Sequence, residues 1–161
     1  MSRGVLQRLS LFGGVTAAAA VLLFPSLLSA DTGGRAEFSR MLAQGYAEVA
    51  KFADIRLHDQ SGQSYFANKS DRARALYDVA PEWPTNWSLA PSVQQAMMSD
   101  RRLLISALSR LDAGADPKTE AIAQVNFDCW VALSSVSSLG AESERCRHAF
   151  KAALQQLGSS Q

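Results

Sequence analysis

Apolar residues recur along this chain at intervals of three and four, and nowhere in the sustained alternation that marks a strand. From Arg35 to about Leu57 the positions Phe38, Met41, Leu42, Gly45, Val49, Phe52 and Ala53 form one helical stripe. Gly33-Gly34 ahead of it reads as a hinge. Gly45 inside the stripe costs ~1 kcal/mol against alanine, and would let another helix approach closely. Asp59-Gln60-Ser61-Gly62 reads as a turn. A second helix is predicted from about Gln63 to Val79, with Phe66, Ala73, Leu76 and Tyr77 inward and Lys69, Arg72 and Arg74 on a solvated face. The run Pro81-Glu82-Trp83-Pro84-Thr85-Asn86-Trp87 cannot be helical. Trp83 and Trp87 make it a loop with large apolar anchors, either pinned to the core or offering a platform to a ligand; we favour the pinned loop. A third helix is predicted from Pro91-Ser92 to Asp112, with Val93, Met97, Leu104, Leu108 and Leu111 inward and Gly114 ending it. Asp100 falls beside that stripe and calls for an arginine or backbone partner.

The most apolar helix comes next. Asp116 as N-cap and Pro117 at the first helical position start it, and Glu120 suits the dipole at that end. Ile122, Val125, Cys129, Leu133 and Val136 fall on one stripe, which Phe127, Trp130 and Val131 widen beyond the usual ~100° arc. Such a helix is central, packed on several sides. Asn126 projects into that arc, so it is expected to be a buried amide tying down a neighbouring loop or helix end. A turn near Ser137 to Gly140 leads to a last helix, about Glu142 to Leu157, with Cys146, Ala149, Phe150, Ala153, Leu154 and Leu157 inward. The fold class is therefore all-α: a bundle of about five helices. No fixed repeat period supports a solenoid.

The first thirty residues change where this bundle would live. Arg3 and Arg8 are their only charges, Leu9 to Leu28 is almost wholly apolar, and Ser29-Ala30 precedes a polar start at Asp31. This is the layout of a secretory signal. The apolar run is also long enough to span a bilayer, so an uncleaved anchor is the rival. Residues 1–30 are accordingly assigned to targeting and 31–161 to one exported domain, in the periplasm or cell envelope. Without Arg3 and Arg8, the 16 basic residues fall to 14 against 15 acidic. Such a balance argues against a nucleic-acid or polybasic membrane surface.

Export gives the two cysteines a meaning. Cys129 and Cys146 face inward from two helices joined by a short turn, in an oxidising compartment. One intramolecular disulfide is predicted, stabilising by roughly 3 kcal/mol for a loop of this length. Catalytic chemistry has no such signal. His58 lies at a helix end and His148 on an outward face. Two cysteines make no zinc site. Nucleotide-binding loops, metalloprotease pairs and nucleophile elbows are absent from the sequence. The reading is a chain that is not an enzyme, with no cofactor and no metal.

With F127-D-C-W130 and C146-R-x-x-F150 in place, the chain resembles the helical N-terminal region of alphaproteobacterial OmpA-family envelope lipoproteins. Further matching segments are Gly45-Tyr46 to Ala50, Tyr65-Phe66-Ala67 with Lys69, the Pro81 to Trp87 loop, Arg101 to Leu108, and Ala123-Gln124. The resemblance implies an all-helical periplasmic domain of the outer envelope and carries over no catalytic residue. The family's lipobox cysteine and peptidoglycan-binding OmpA-like domain have no counterpart in these residues, so lipid anchoring and peptidoglycan binding are not carried over. The function expected is a structural or protein-interaction module with an envelope partner. The alternative is a periplasmic small-ligand binder with a pocket near Trp83 and Trp87.

Overall fold

Five helices make up most of the computed structural model, which describes residues 29–109 and 116–159. They are α1 (Ser29–Leu57), α2 (Gln60–Arg74), α3 (Pro91–Leu108), α4 (Pro117–Ser134) and α5 (Gly140–Ser159), with single 3₁₀ turns at Pro84–Asn86 and Ser137–Leu139. No strand occurs among the described residues, and none of their helices is long and apolar enough to cross a membrane. The targeting segment before Ser29, and the expectations for Leu111, Asp112 and Gly114, lie outside the described residues.

α4 is the central helix that its wide apolar arc predicts. Ten of its eleven residues from Ala123 to Leu133 are buried, Asn126 being the exception. Asp116 caps its start, accepting from the backbone N–H of Lys118 at 3.3 Å and of Thr119 at 3.1 Å. On one side α4 meets α1 and α2 around Leu42, Tyr46, Phe66 and Val125. On the other it meets α3 and α5 around Met97, Leu104, Phe127, Val131 and Phe150. Trp87 packs against both clusters. α1 comes against α4 through Gly45, where an added Cβ would lie 2.6 Å from Val125 Cγ2. The predicted close approach at this glycine is therefore present.

Helix boundaries depart from expectation where the sequence gives an unusual stop. α1 starts at Ser29, so Gly33-Gly34 is helical and no hinge. α2 ends at Arg74 and not near Val79. Its C-terminus closes as a Schellman motif: Leu76 N–H donates to Ala73 O, Tyr77 N–H to Arg72 O, and Leu76 takes φ 61°. Glycine or asparagine is the usual residue there. Leu76 and Tyr77, expected inward, are two-thirds exposed. Val93, also expected inward, is exposed. The partner of Asp100 is Lys151 of α5, at 2.5 Å, in place of an arginine.

The disulfide is formed. Cys129 of α4 and Cys146 of α5 have Cα atoms 5.8 Å apart, within the ordinary range for a bridge. Near the turn, the Ser134 and Ser143 hydroxyls meet at 2.7 Å, and deeper in, Phe150 lies against Phe127 and Trp130.

Candidate functional site: a side-chain clamp on an irregular strap

Between α2 and α3 the chain crosses the bundle without regular structure from Val79 to Leu89, apart from the turn at Pro84–Asn86. Two prolines forbid a helix there. Backbone polar groups brought inside still need partners, and here side chains supply them. Four successive carbonyls each accept from one. Val79 O accepts from Gln124 Nε2 at 2.5 Å, and Ala80 O from Lys69 Nζ at 3.4 Å. Pro81 O accepts from Arg101 Nη2 at 3.2 Å, and Glu82 O from Arg101 Nε at 2.9 Å. The Glu82 N–H donates to Asp128 Oδ1 at 2.8 Å. Helices α2, α3 and α4 thus each hold the strap.

Lys69 is the hub. Its ammonium lies 2.5 Å from Glu82 Oε1 and 2.6 Å from Asp128 Oδ2, and 4.9 Å from the Tyr46 ring centroid. Tyr46 of α1 donates to Asp128 Oδ2 at 2.5 Å and accepts from Gln124 Nε2 at 3.1 Å. Glu82 also accepts from Tyr65 Oη at 2.7 Å and from Trp87 Nε1 at 3.0 Å. An ammonium has three protons, and the three oxygens near Lys69 use them. Each carboxylate has three donors. The members are individually costly to bury, but Lys69 and Arg101 balance Glu82 and Asp128. Burial pushes the Asp128 carboxyl up to about 6; the ammonium of Lys69 opposes that shift and the charge of Glu82 adds to it. Burial likewise raises the Tyr46 phenol, with Asp128 adding to the effect.

The residues singled out in the sequence fall unevenly on this geometry. Trp87 is pinned by its hydrogen bond to Glu82 and an edge-to-face contact with Tyr65. Trp83 is 48% exposed, with the Arg101 guanidinium 3.6 Å from its ring centroid. The loop is thus pinned as favoured, but Trp83 keeps much of its surface in solvent. Asn126 is not the buried tying amide: it is half-buried and donates to Ile122 O of its own helix at 2.8 Å. Gln124, two residues earlier, has that role. The reason is angular. Gln124 and Asp128 are one turn apart and share the face toward the strap, whereas Asn126 points between the neighbours of α4. Lys69, expected on a solvated face, is buried with 8% exposure; Arg72 and Arg74 are exposed as expected. His58 and His148 are both exposed and lie apart from the clamp.

Two hollows adjoin the loop. A groove of about 320 Å³ runs beside Tyr65, Asn68 and Trp83, and a more enclosed, apolar cavity of about 300 Å³ has Trp87 in its wall. No group of three His, Cys, Asp or Glu side chains among the described residues is placed to hold a metal ion. Fold and site together define a disulfide-linked, all-α bundle with a polar clamp at its centre. No protein-family model, curated protein or solved structure matches the chain.

Proposed function

We propose that this chain is a non-catalytic helical module of the cell envelope, exported by its N-terminal segment, which presents a fixed surface to a protein partner. The observation that carries the reading is Trp83. A half-exposed indole normally retains rotamer freedom that binding must remove. Here the Arg101 guanidinium stacks on it, and that guanidinium is itself fixed by two strap carbonyls. Ordering cost is thereby met before any partner arrives, and Trp, Tyr and Arg are the residue types that dominate interface energetics. The clamp supports a structural role for the same reason: its charges and hydroxyls are spent on one another and on the strap. Tyr46, Tyr65, Lys69, Glu82, Trp87, Arg101, Gln124 and Asp128 also all fall within the segments that resemble the OmpA-family envelope lipoproteins.

A photo-crosslinking amino acid at position 83, introduced in the source cells, tests the proposal. His148, 83% exposed on α5, is the control position. One discrete adduct from position 83 and none like it from 148 is the expected result. No adduct, or the same adducts from both positions, overturns the interface. Mass spectrometry of the protein from those cells should find an N-terminus at Asp31 in the envelope or periplasmic fraction; recovery from the cytosol overturns export.

A further inference from the structure

The cavity walled by Trp87 has a chemistry that the clamp does not use. It opens between the C-terminal half of α1, the start of α2 and the 3₁₀ turn after α4. Val49, Phe52, Phe66, Trp87, Leu133 and Leu139 supply its walls. Most of its polar groups are engaged elsewhere. The Trp87 N–H is bonded to Glu82, the Asp59 carboxylate accepts from Gly62 N–H at 3.0 Å as the cap of α2, and the Ser135 hydroxyl donates to Ala132 O at 2.6 Å. Ser138, exposed at the mouth, is the lining residue whose hydroxyl makes no hydrogen bond within the described chain. Asp59 is the only charged residue among the described ones that line it. Phe52, Leu57 and Leu139 are left half-buried around this space.

We infer that this cavity is a binding site for a neutral, hydrophobic small molecule. Size, polarity and charge each restrict the class. An apolar cavity of ~150 Å³ stays dry and takes one benzene ring. A cavity of about 300 Å³ therefore suits a two-ring molecule or an acyl chain of similar volume, at the lower end of the range for small-ligand sites. Mostly apolar walls, with only the Ser138 hydroxyl and one Asp59 carboxylate oxygen unengaged, favour an apolar body carrying at most one hydrogen-bonding group. The described lining residues offer no cation and hold one carboxylate, so an anion would be desolvated with nothing to compensate it. This separates the class from fatty acids and other anionic amphiphiles. The inference does not depend on the interface proposed at Trp83, which lies in the other hollow.

The test is isothermal titration calorimetry of the whole purified chain with 2-naphthol, neutral near pH 7, and with 2-naphthoate, the anion of the same ring system. Saturable one-site binding of 2-naphthol is expected, with 2-naphthoate weaker by about tenfold or more. Ala132→Leu, which fills the wall, should weaken 2-naphthol binding by a similar factor. Should that core variant fail to fold, Val136→Trp serves instead: Val136 lines the cavity but is 43% exposed, so a larger side chain plugs the mouth without entering the core. Absence of saturable heat up to the solubility limit of 2-naphthol overturns the inference. So does equal binding of the two probes, or unchanged affinity in a folded variant with the cavity filled or plugged.

Discussion

Replacing Lys69 by methionine removes the hub of the clamp while keeping most of its apolar volume. Two carboxylates then remain buried, each having lost a cation that stood within 2.6 Å. At an effective dielectric of about 20, one such contact is worth roughly 6 kcal/mol by Coulomb's law. Several kcal/mol per ion return as relief of desolvation when the ammonium is no longer buried. The net cost of breaking a buried pair on one side is about 3–5 kcal/mol, set against a total stability of about 5–15 kcal/mol for a domain of this kind. Urea denaturation followed by far-ultraviolet circular dichroism should therefore show a midpoint lowered by about a fifth or more. The deficit should also depend on pH. Asp128 has a folded-state value of about 6 against an ordinary 3.8. Its own linkage thus favours the folded state fully below about 3.8, and that contribution is lost as pH rises through about 6. Without Lys69 the value rises further, because the ammonium that opposed the shift is gone. The protonated carboxyl needs no counter-ion, so the deficit at about pH 5 should be smaller than at about pH 8. In the Lys69→Met, Asp128→Asn double variant the two losses should fall short of their sum by more than about 1 kcal/mol. A single-variant loss below about 1 kcal/mol, or a deficit that grows on acidification, would refute the reasoning.

Three further changes probe the helices. Gly45→Ala gains ~1 kcal/mol of helix propensity but puts a methyl group 2.6 Å from Val125 Cγ2, an overpacking that costs about 1–3 kcal/mol; a net loss is expected in urea melts, reversed when Val125→Ala is added. Leu76→Gly should raise stability by about 1 kcal/mol, because a two-thirds exposed leucine at φ 61° carries left-handed strain and little packing; an unchanged or lowered midpoint counts against the Schellman geometry. Reduction of the Cys129–Cys146 bridge should cost about 3 kcal/mol, read as the difference in urea midpoint with and without dithiothreitol.

The helical architecture was legible because periodicity reports which face of a helix is buried. The Asp116-Pro117 start, the apolar circumference of α4 and the inward cysteines all follow from it. The clamp was harder to see because its residues are polar, and a polar residue in a helix is ordinarily solvated. A signal was nonetheless present. Lys69 lies between Phe66 and Ala73 on the buried face of α2, three residues from one and four from the other. Gln124 and Asp128 are spaced by one turn on a helix that is apolar nearly all round. Polar residues at i and i+4 on such a helix share a face, and that face must meet something polar. Asn126 lacks that signal, because the residues one turn away from it, Ile122 and Trp130, are apolar. The end of α2 was illegible for another reason: leucine at the left-handed position carries no local stop signal, so the apolar pair Leu76-Tyr77 extended the helix on paper.

Clamp and cavity meet at one side chain. The Trp87 indole donates to Glu82 in the clamp while its ring walls the cavity. The strap has no ladder of its own between Val79 and Glu82, so Lys69, Arg101, Gln124 and Asp128 set the position of the wall. Weakening the clamp should therefore loosen the cavity even in molecules that remain folded. Lys69→Met, assayed well below its unfolding midpoint, should bind 2-naphthol less tightly than the unaltered chain. Leu76→Gly, which touches neither the strap carbonyls nor the cavity lining, should bind as the unaltered chain does. If Lys69→Met were to keep full affinity while losing stability, clamp and cavity would be energetically separate, and Glu82 would fix the indole without help from its cation.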